Sequence, residues 1–213
     1  MSSISKIAKR KYIEYSKYEG SQHIAKEHSI YRILECIKNN KCESVLEVGL
    51  GIGTIFSAVY EFNPNLKYVG TENNDFCLNS LKTNLKDSYN HLEIHANIEA
   101  IPKTEKFDVV IIDGKDDTLN VVKYYLKEDS IIVIEGDRSD QEATMVKMFP
   151  NCINVHIVTL KKNPADGFFD VKDYQGGVKV IFIKPNTKQY LYWLKHKVLT
   201  NLKYKVRILK KKV

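Results

Sequence analysis

The sequence predicts an α/β fold: a seven-stranded, mostly parallel sheet with an antiparallel last strand, helices on both faces, and a basic C-terminal helix. Three observations carry that expectation. From residue 44 onward, short apolar runs alternate with stretches of helical length, the pattern of parallel βαβ units. The first run ends in Gly49-x-Gly51-x-Gly53, where glycine allows a tight turn and a close approach to the backbone. No helix of useful length fits between the last two runs, so the final strand should lie antiparallel to its neighbour.

The elements follow in order. Residues 1–29 form a segment whose first part is basic and rich in tyrosine (Tyr12, Tyr15, Tyr18), ending at Gly20-Ser21. Ile30, Ile33, Leu34 and Ile37 then recur at spacings of three and four, a helical period that stops at Asn39-Asn40. Strand-like runs cover 44–48, 66–71, 91–95, 107–112, 130–135, 153–159 and 177–183. Helical stretches fit 54–62, 75–85, 119–126 and 139–149. Ser139 and Glu142 have the spacing of a capping box at the start of the last of these. The stretch 160–176, with Asn163-Pro164, Gly167 and Asp173, reads as a long hairpin loop. Loops of that size are uncommon unless they are functional. The main domain is placed at 30–185, with a C-terminal helix in 186–213.

Composition narrows the function. A chain of 213 residues suits one domain with an extension. No apolar run approaches the ~20 residues that cross a bilayer. The opening Met1-Ser-Ser-Ile-Ser-Lys has no apolar stretch before a small-residue cleavage site, so no secretory signal is expected and a cytoplasmic location follows. Cys36, Cys42, Cys77 and Cys152 form no C-x-x-C pair, which points to buried, reduced thiols rather than a zinc or redox site. The net charge is +7, yet eleven cations and no acid follow Asp173, so the remainder carries −4. A mildly acidic globule with a basic tail argues against nucleic-acid binding over the whole surface.

The strongest motif is Val45-Leu-Glu47-Val-Gly49-Leu-Gly51-Ile-Gly53-Thr54. The helix that follows offers free N–H groups and a positive dipole end to an anionic ligand. A dinucleotide fingerprint needs G-x-G-x-x-G, and its third glycine would fall on Thr54. Here the glycines alternate, with an acid two residues before the first. In this the chain resembles the class I, Rossmann-like S-adenosylmethionine-dependent methyltransferases, over roughly residues 30 to 185. The resemblance implies S-adenosyl-L-methionine as cofactor and accounts for the antiparallel last strand. It also implies a binding set of Glu47, Gly49, Gly51, Gly53, Thr54, Glu72, Asn73, Asn97, Ile98 and Asp113. Glu72 ends the second strand, where a carboxylate can accept both hydroxyls of a ribose. By the resemblance, Asn97 meets the adenine amino group and Ile98 packs on the ring, although the family more often has Asp at the first of these. Asp113 ends the fourth strand, beside the switch point where open α/β sheets bind ligands.

The acceptor is less legible. Asp113-Gly-Lys-Asp stands where base-amino methyltransferases carry Asn/Asp-Pro-Pro-Tyr/Phe, so the resemblance leans toward O-methylation of a small molecule or saccharide. In the metal-dependent catechol-type group Asp113 would match one ligand, but Gly136 stands where that group has Asn. Asp113, Asp116, Glu135 and Asp137 could supply oxygens to Mg²⁺ or Ca²⁺; a divalent metal is not the favoured reading. Removing a hydroxyl proton needs a base, and Asp113, His95, His28 and His23 are the candidates. Phe168, Phe169 and Tyr174, in the hairpin loop, could line the acceptor pocket. Two alternatives stand beside the enzyme: a non-enzymatic S-adenosylmethionine-binding module, and an aminopropyl transferase, which shares the fold and a strand-end Asp.

The tail carries its own signal. Over residues 188–213, Leu191, Leu194, Val198, Leu202, Val206, Leu209 and Val213 form one apolar stripe, and nine of the eleven late cations lie here. Tyr190, Tyr192 and Trp193 stand at its start. Such a helix suits the interface of an anionic membrane; docking on the globule or on a partner, and nucleic-acid binding, are the competing readings. With the membrane reading, a lipid-linked or other glycan becomes an acceptor to consider, and the protein would sit peripherally on the inner face of a membrane.

Overall fold

A computed structural model describes residues 3–115, 117–163 and 170–211. The helices are α1 (Ile4–Tyr15), α2 (Glu27–Asn40), α3 (Thr54–Phe62), α4 (Asp75–Leu85), α5 (Ser139–Met148) and α6 (Thr187–Lys211). The strands are β1 (Ser44–Val48), β2 (Lys67–Thr71), β3 (Glu93–His95), β4 (Phe107–Ile112), β5 (Leu126–Glu135), β6 (Ile153–Ile157) and β7 (Val178–Phe182). They make one seven-stranded sheet in the order β3-β2-β1-β4-β5-β7-β6. β7 runs antiparallel to both neighbours, β5 and β6, while β1 to β5 pair in parallel. The expected sheet and its reversed last strand are therefore present.

Both faces of the sheet are covered, which is why the central strands read as unbroken apolar runs. Val45, Val109, Ile111, Val133 and Val180 face a core shared with Ile30, Ile33 and Phe56 of α2 and α3. Leu46, Val48, Val110, Ile112 and Ile132 face a second core with Ile98, Val122 and Met145. The order of strands reverses between β1 and β4, whose ends Val48 and Ile112 are register partners. The glycine turn and Asp113 thus emerge side by side at the carboxyl edge.

Several local expectations shift. Residues 4–15, which the sequence marks only as basic and tyrosine-rich, form α1, and Ile7, Ala8 and Tyr15 are buried in the α2–α3 core. Residues 119–125 are a 3₁₀ helix rather than an α-helix, because β5 starts early, at Leu126, where it pairs with Phe107. Of the cysteines, Cys36 and Cys42 are buried, whereas Cys77 and Cys152 are partly exposed; all four are free thiols.

The capping box at α5 does not form. Glu142 accepts instead from Lys179 Nζ at 2.6 Å and from Asn154 Nδ2 at 2.8 Å. Lys179 sits on β7, flanked by β5 and β6, and is only 3% exposed, so its ammonium outcompetes a backbone N–H for the carboxylate. Glu142→Ala strands that charge and is expected to cost on the order of 3 kcal/mol. Thermal melting reads this as a fall of about 2–4 °C per kcal/mol; an unchanged midpoint would mean that Ser139 alone satisfies the lysine.

Candidate functional site

The three loop glycines adopt left-handed φ values of 88°, 52° and 92° at Gly49, Gly51 and Gly53, and they differ in purpose. A Cβ on Gly49 would lie 2.5 Å from Gly114 Cα, and one on Gly53 would lie 2.9 Å from Leu81 Cδ2. These two are glycine because backbone and core press on them. A Cβ on Gly51 would meet nothing within 4 Å, so that residue borders open space.

That space is a cavity of about 360 Å³ lined by Gly51, Ile52, Thr54, Asn74, Phe76 and Asp113, among others. The buried Thr54 Oγ1 has no hydrogen-bond partner among the described residues. Glu72 turns back on the loop. Its Oε2 accepts from Gly51 N–H at 2.8 Å, and its Oε1 accepts from the N–H groups of Asn73 and Asn74, both at 2.9 Å. Three of its roughly four acceptor sites are thus taken. A diol would find one free, and engaging both hydroxyls requires a backbone N–H to let go.

Other expected binding residues are placed elsewhere. Glu47 is fully buried beneath the loop, where Tyr68 OH donates to its Oε2 at 2.5 Å. Burial pushes its carboxyl well above the usual range. Asn97 spends its side-chain oxygen on Ala100 N–H at 3.0 Å, capping a short 3₁₀ turn. Ile98 is packed within the second core. Asn73 borders a separate shallow depression with Glu72 and His95.

A second, larger cavity of about 850 Å³ adjoins the first. Gln22, His23, Ile24 and Asp113 line both. Asp113 is half-buried, and its Oδ1 is shielded from solvent with no hydrogen bond among the described residues. The nearest cation is Arg138, with Nη2 at 3.5 Å, held in place as its Nη1 donates to Gly114 O at 2.8 Å. Burial, then the charge of Glu135, pushes the Asp113 carboxyl well above its ordinary range, with Arg138 opposing. Glu135 is raised by burial too, against Ser29 Oγ donating to its Oε1 at 2.9 Å.

The candidate bases separate clearly. Asp113 and His23 reach the junction of the two cavities. His95 is held by Glu93, Nε2 to Oε1 at 2.7 Å, away from that junction. His28 sits 3.3 Å from the Ile157 carbonyl oxygen; burial first, and the Arg32 charge second, lower it to about 4. It lines neither of the two cavities.

The hairpin loop does border the larger cavity, through Asn163, Asp170, Asp173 and Tyr174. Phe168, Phe169 and Asp116 lie outside the described residues. Two cations lie over the Tyr174 ring, Lys162 Nζ at 3.7 Å and the Arg207 guanidinium at 4.5 Å from its centroid. Of the expected oxygen cluster, Asp113, Glu135 and Asp137 all border the larger cavity, where Asp137 pairs with His156 at 2.8 Å and Glu135 accepts from Ser29. Among the described residues no three His, Cys, Asp or Glu side chains gather as a metal-ligand set. Lys26, Arg138 and Arg207 of this cavity escaped the sequence reading. Arg138, three residues past β5 at the carboxyl edge, had a local signal; the other two had none.

A match to the family described as a methyltransferase domain spans residues 39–198. The chain belongs to that family. Its fold is that of the class I S-adenosylmethionine-dependent methyltransferases, as three solved structures illustrate. An O-methyltransferase from Bacillus cereus in complex with SAH is 12% identical, over 84% of this chain and 91% of that one, with a TM-score of 0.61. The O-methyltransferase TomG from Streptomyces achromogenes, in complex with SAM, is 14% identical over 87% and 91%, with a TM-score of 0.57. Precorrin-6y C5,15-methyltransferase from Geobacter metallireducens is 17% identical over 80% and 93%, also at 0.57. No curated protein matches this methyltransferase in sequence. Its residues suit the family cofactor: the open side of Gly51 leaves room for a ligand, and the strand-end Asp113 borders the same cavity.

Proposed function

We propose that this methyltransferase methylates a hydroxyl oxygen of a small polar molecule or saccharide held in the larger cavity, with Asp113 accepting the hydroxyl proton. The observation that carries the reading is Asp113 itself. It is a half-buried carboxylate shared by both cavities, whose solvent-shielded Oδ1 makes no hydrogen bond among the described residues and lies 3.5 Å from Arg138. S-adenosylmethionine supplies an electrophilic methyl on a good leaving group, so the protein's share is alignment and proton removal. The glycine loop and the α3 N-terminus hold the donor. Arg138 steadies the Asp113 charge, and the proton passes from the acceptor oxygen to Asp113 Oδ1 as the new carbon–oxygen bond forms.

Two measurements test this. A thermal-shift titration with S-adenosylmethionine, S-adenosylhomocysteine and NAD is expected to raise the midpoint with the first two; a shift with NAD alone would overturn the cofactor. Methyl transfer assayed on hydroxyl, amine and carbon acceptors is expected on hydroxyls, and product on the others alone would overturn the acceptor class. Glu72→Ala removes a charged acceptor that ties down the Gly51 loop. It is expected to weaken S-adenosylmethionine binding about 10- to 100-fold, read by calorimetric titration; unchanged affinity would remove Glu72 from the donor site.

A further inference from the structure

The helix α6 is docked with its polar side inward. β6 is the last strand of the sheet, and its outer edge presents carbonyl oxygens. Side chains of α6 donate to them at every second residue. Trp193 Nε1 donates to Asn154 O at 2.8 Å, Thr200 Oγ1 to His156 O at 2.7 Å, and Lys203 Nζ to Val158 O at 2.8 Å. Arg207 Nε continues the row to Thr159 O at 3.1 Å. A sheet edge needs donors, so the polar face of the helix is the one it takes.

The apolar stripe is consequently turned outward. Leu191, Val198, Leu202 and Leu209 lie within about 20° of one line at roughly 100° per residue, opposite the docked face. Their exposures are 63%, 52%, 52% and 65%. Exposed lysines, Lys188, Lys195, Lys205 and Lys210, flank the stripe, and α6 contains no acidic residue. The helix is 25 residues long, and the stripe from Leu191 to Leu209 runs along about 27 Å of it. Among the described residues no helix is long and apolar enough to cross a membrane.

We propose that this stripe and its lysines seat the protein on an anionic lipid surface, α6 lying flat with its leucines at the headgroup–acyl boundary. Apolar side chains on a cationic helix match that boundary in both polarity and charge. A second copy of the chain matches only the first. Two α6 helices would bring cations against cations with no acid on either. The far end of α6 also walls the larger cavity through Tyr204, Arg207 and Ile208, so the surface bearing the helix runs up to the cavity's rim.

Co-sedimentation of the full chain with vesicles tests the proposal. Binding is expected to vesicles of phosphatidylcholine mixed with phosphatidylglycerol, to weaken as salt is raised, and to be slight with phosphatidylcholine alone. The triple variant Leu191→Ser, Val198→Ser and Leu202→Ser changes only exposed side chains. It is expected to lower partitioning about 100-fold at an unchanged melting midpoint. The pair Lys195→Glu and Lys205→Glu, which touches no apolar side chain, is expected to abolish the preference for anionic vesicles and serves if the triple variant folds poorly. No sedimentation with anionic vesicles overturns the proposal. So does a triple variant that binds like the parent, or a parent that dimerises through the stripe in ultracentrifugation without binding vesicles.

Discussion

Asp113→Asn is expected to slow methyl transfer about 10²- to 10⁴-fold, the span of general-base contributions, and at the same time to raise the melting midpoint. The two effects share a cause. The Asp113 carboxylate is largely desolvated, feels the charge of a second largely desolvated acid, Glu135, and has only Arg138 in partial compensation. Its folded-state pKa is raised above the unfolded value. The fold therefore gains from the protonated form below the unfolded pKa, and that gain is lost as pH rises through the folded one. Once ionised, the group works against folding, and asparagine removes the charge while keeping the shape. Each kcal/mol recovered would appear as about 2–4 °C in the melting midpoint. A base must be ionised to act, so kcat of the parent should climb with pH over the same interval in which its stability falls. Rate and melting profiles in one buffer series check both signs. Parent-like turnover in the variant would dismiss Asp113 as the base, and a lowered midpoint would dismiss the account of its burial.

Gly49→Ala and Gly51→Ala, two residues apart, are expected to fail in different ways. At Gly49 the added carbon would sit 2.5 Å from Gly114 Cα, backbone against backbone, at a φ of 88°. Neither β1 nor β4 has slack to give, because their ends are register partners and the N–H groups of Asp113 and Gly114 both donate to Val48 O. Overpacking plus left-handed strain should cost about 3–5 kcal/mol, a large share of a stability that is typically about 5–15 kcal/mol. Gly51→Ala meets no atom within 4 Å and pays only the backbone penalty of about 1 kcal/mol. Its methyl instead faces the cavity of about 360 Å³, and S-adenosylmethionine affinity should drop by about tenfold or more. Melting curves and calorimetric titration on both variants separate the roles. Parent-like affinity in Gly51→Ala would mean the donor is held elsewhere, and normal melting of Gly49→Ala would mean the close approach of β1 and β4 is dispensable.

Much of this architecture is readable along the chain because it is local. Ile131-Ile132-Val133-Ile134 is apolar at every position since both faces of β5 are covered. The alternating glycines mark a turn that no other residue type makes cheaply. The 25-residue α6 shows in its spacing of three and four. The strand-end acids Glu72 and Asp113 are legible for the same reason, each standing just past an apolar run.

What the chain folded around those elements was decided by partners far away in sequence. The period of α6 reports that it has two faces and not which one turns inward; the carbonyl edge of β6 chose the polar one. The spacing of Ser139 and Glu142 allows a cap, but Lys179, thirty-seven residues on, is a buried charge and claims the carboxylate. Among four histidine and aspartate candidates, only packing brought His23 and Asp113 to the junction of the cavities, and it sent His28 to a backbone carbonyl and His95 to Glu93. Patterning sets which surfaces a segment must hide. Which neighbour hides them depends on unmet donors, acceptors and charges elsewhere, and those meet only once the sheet has closed.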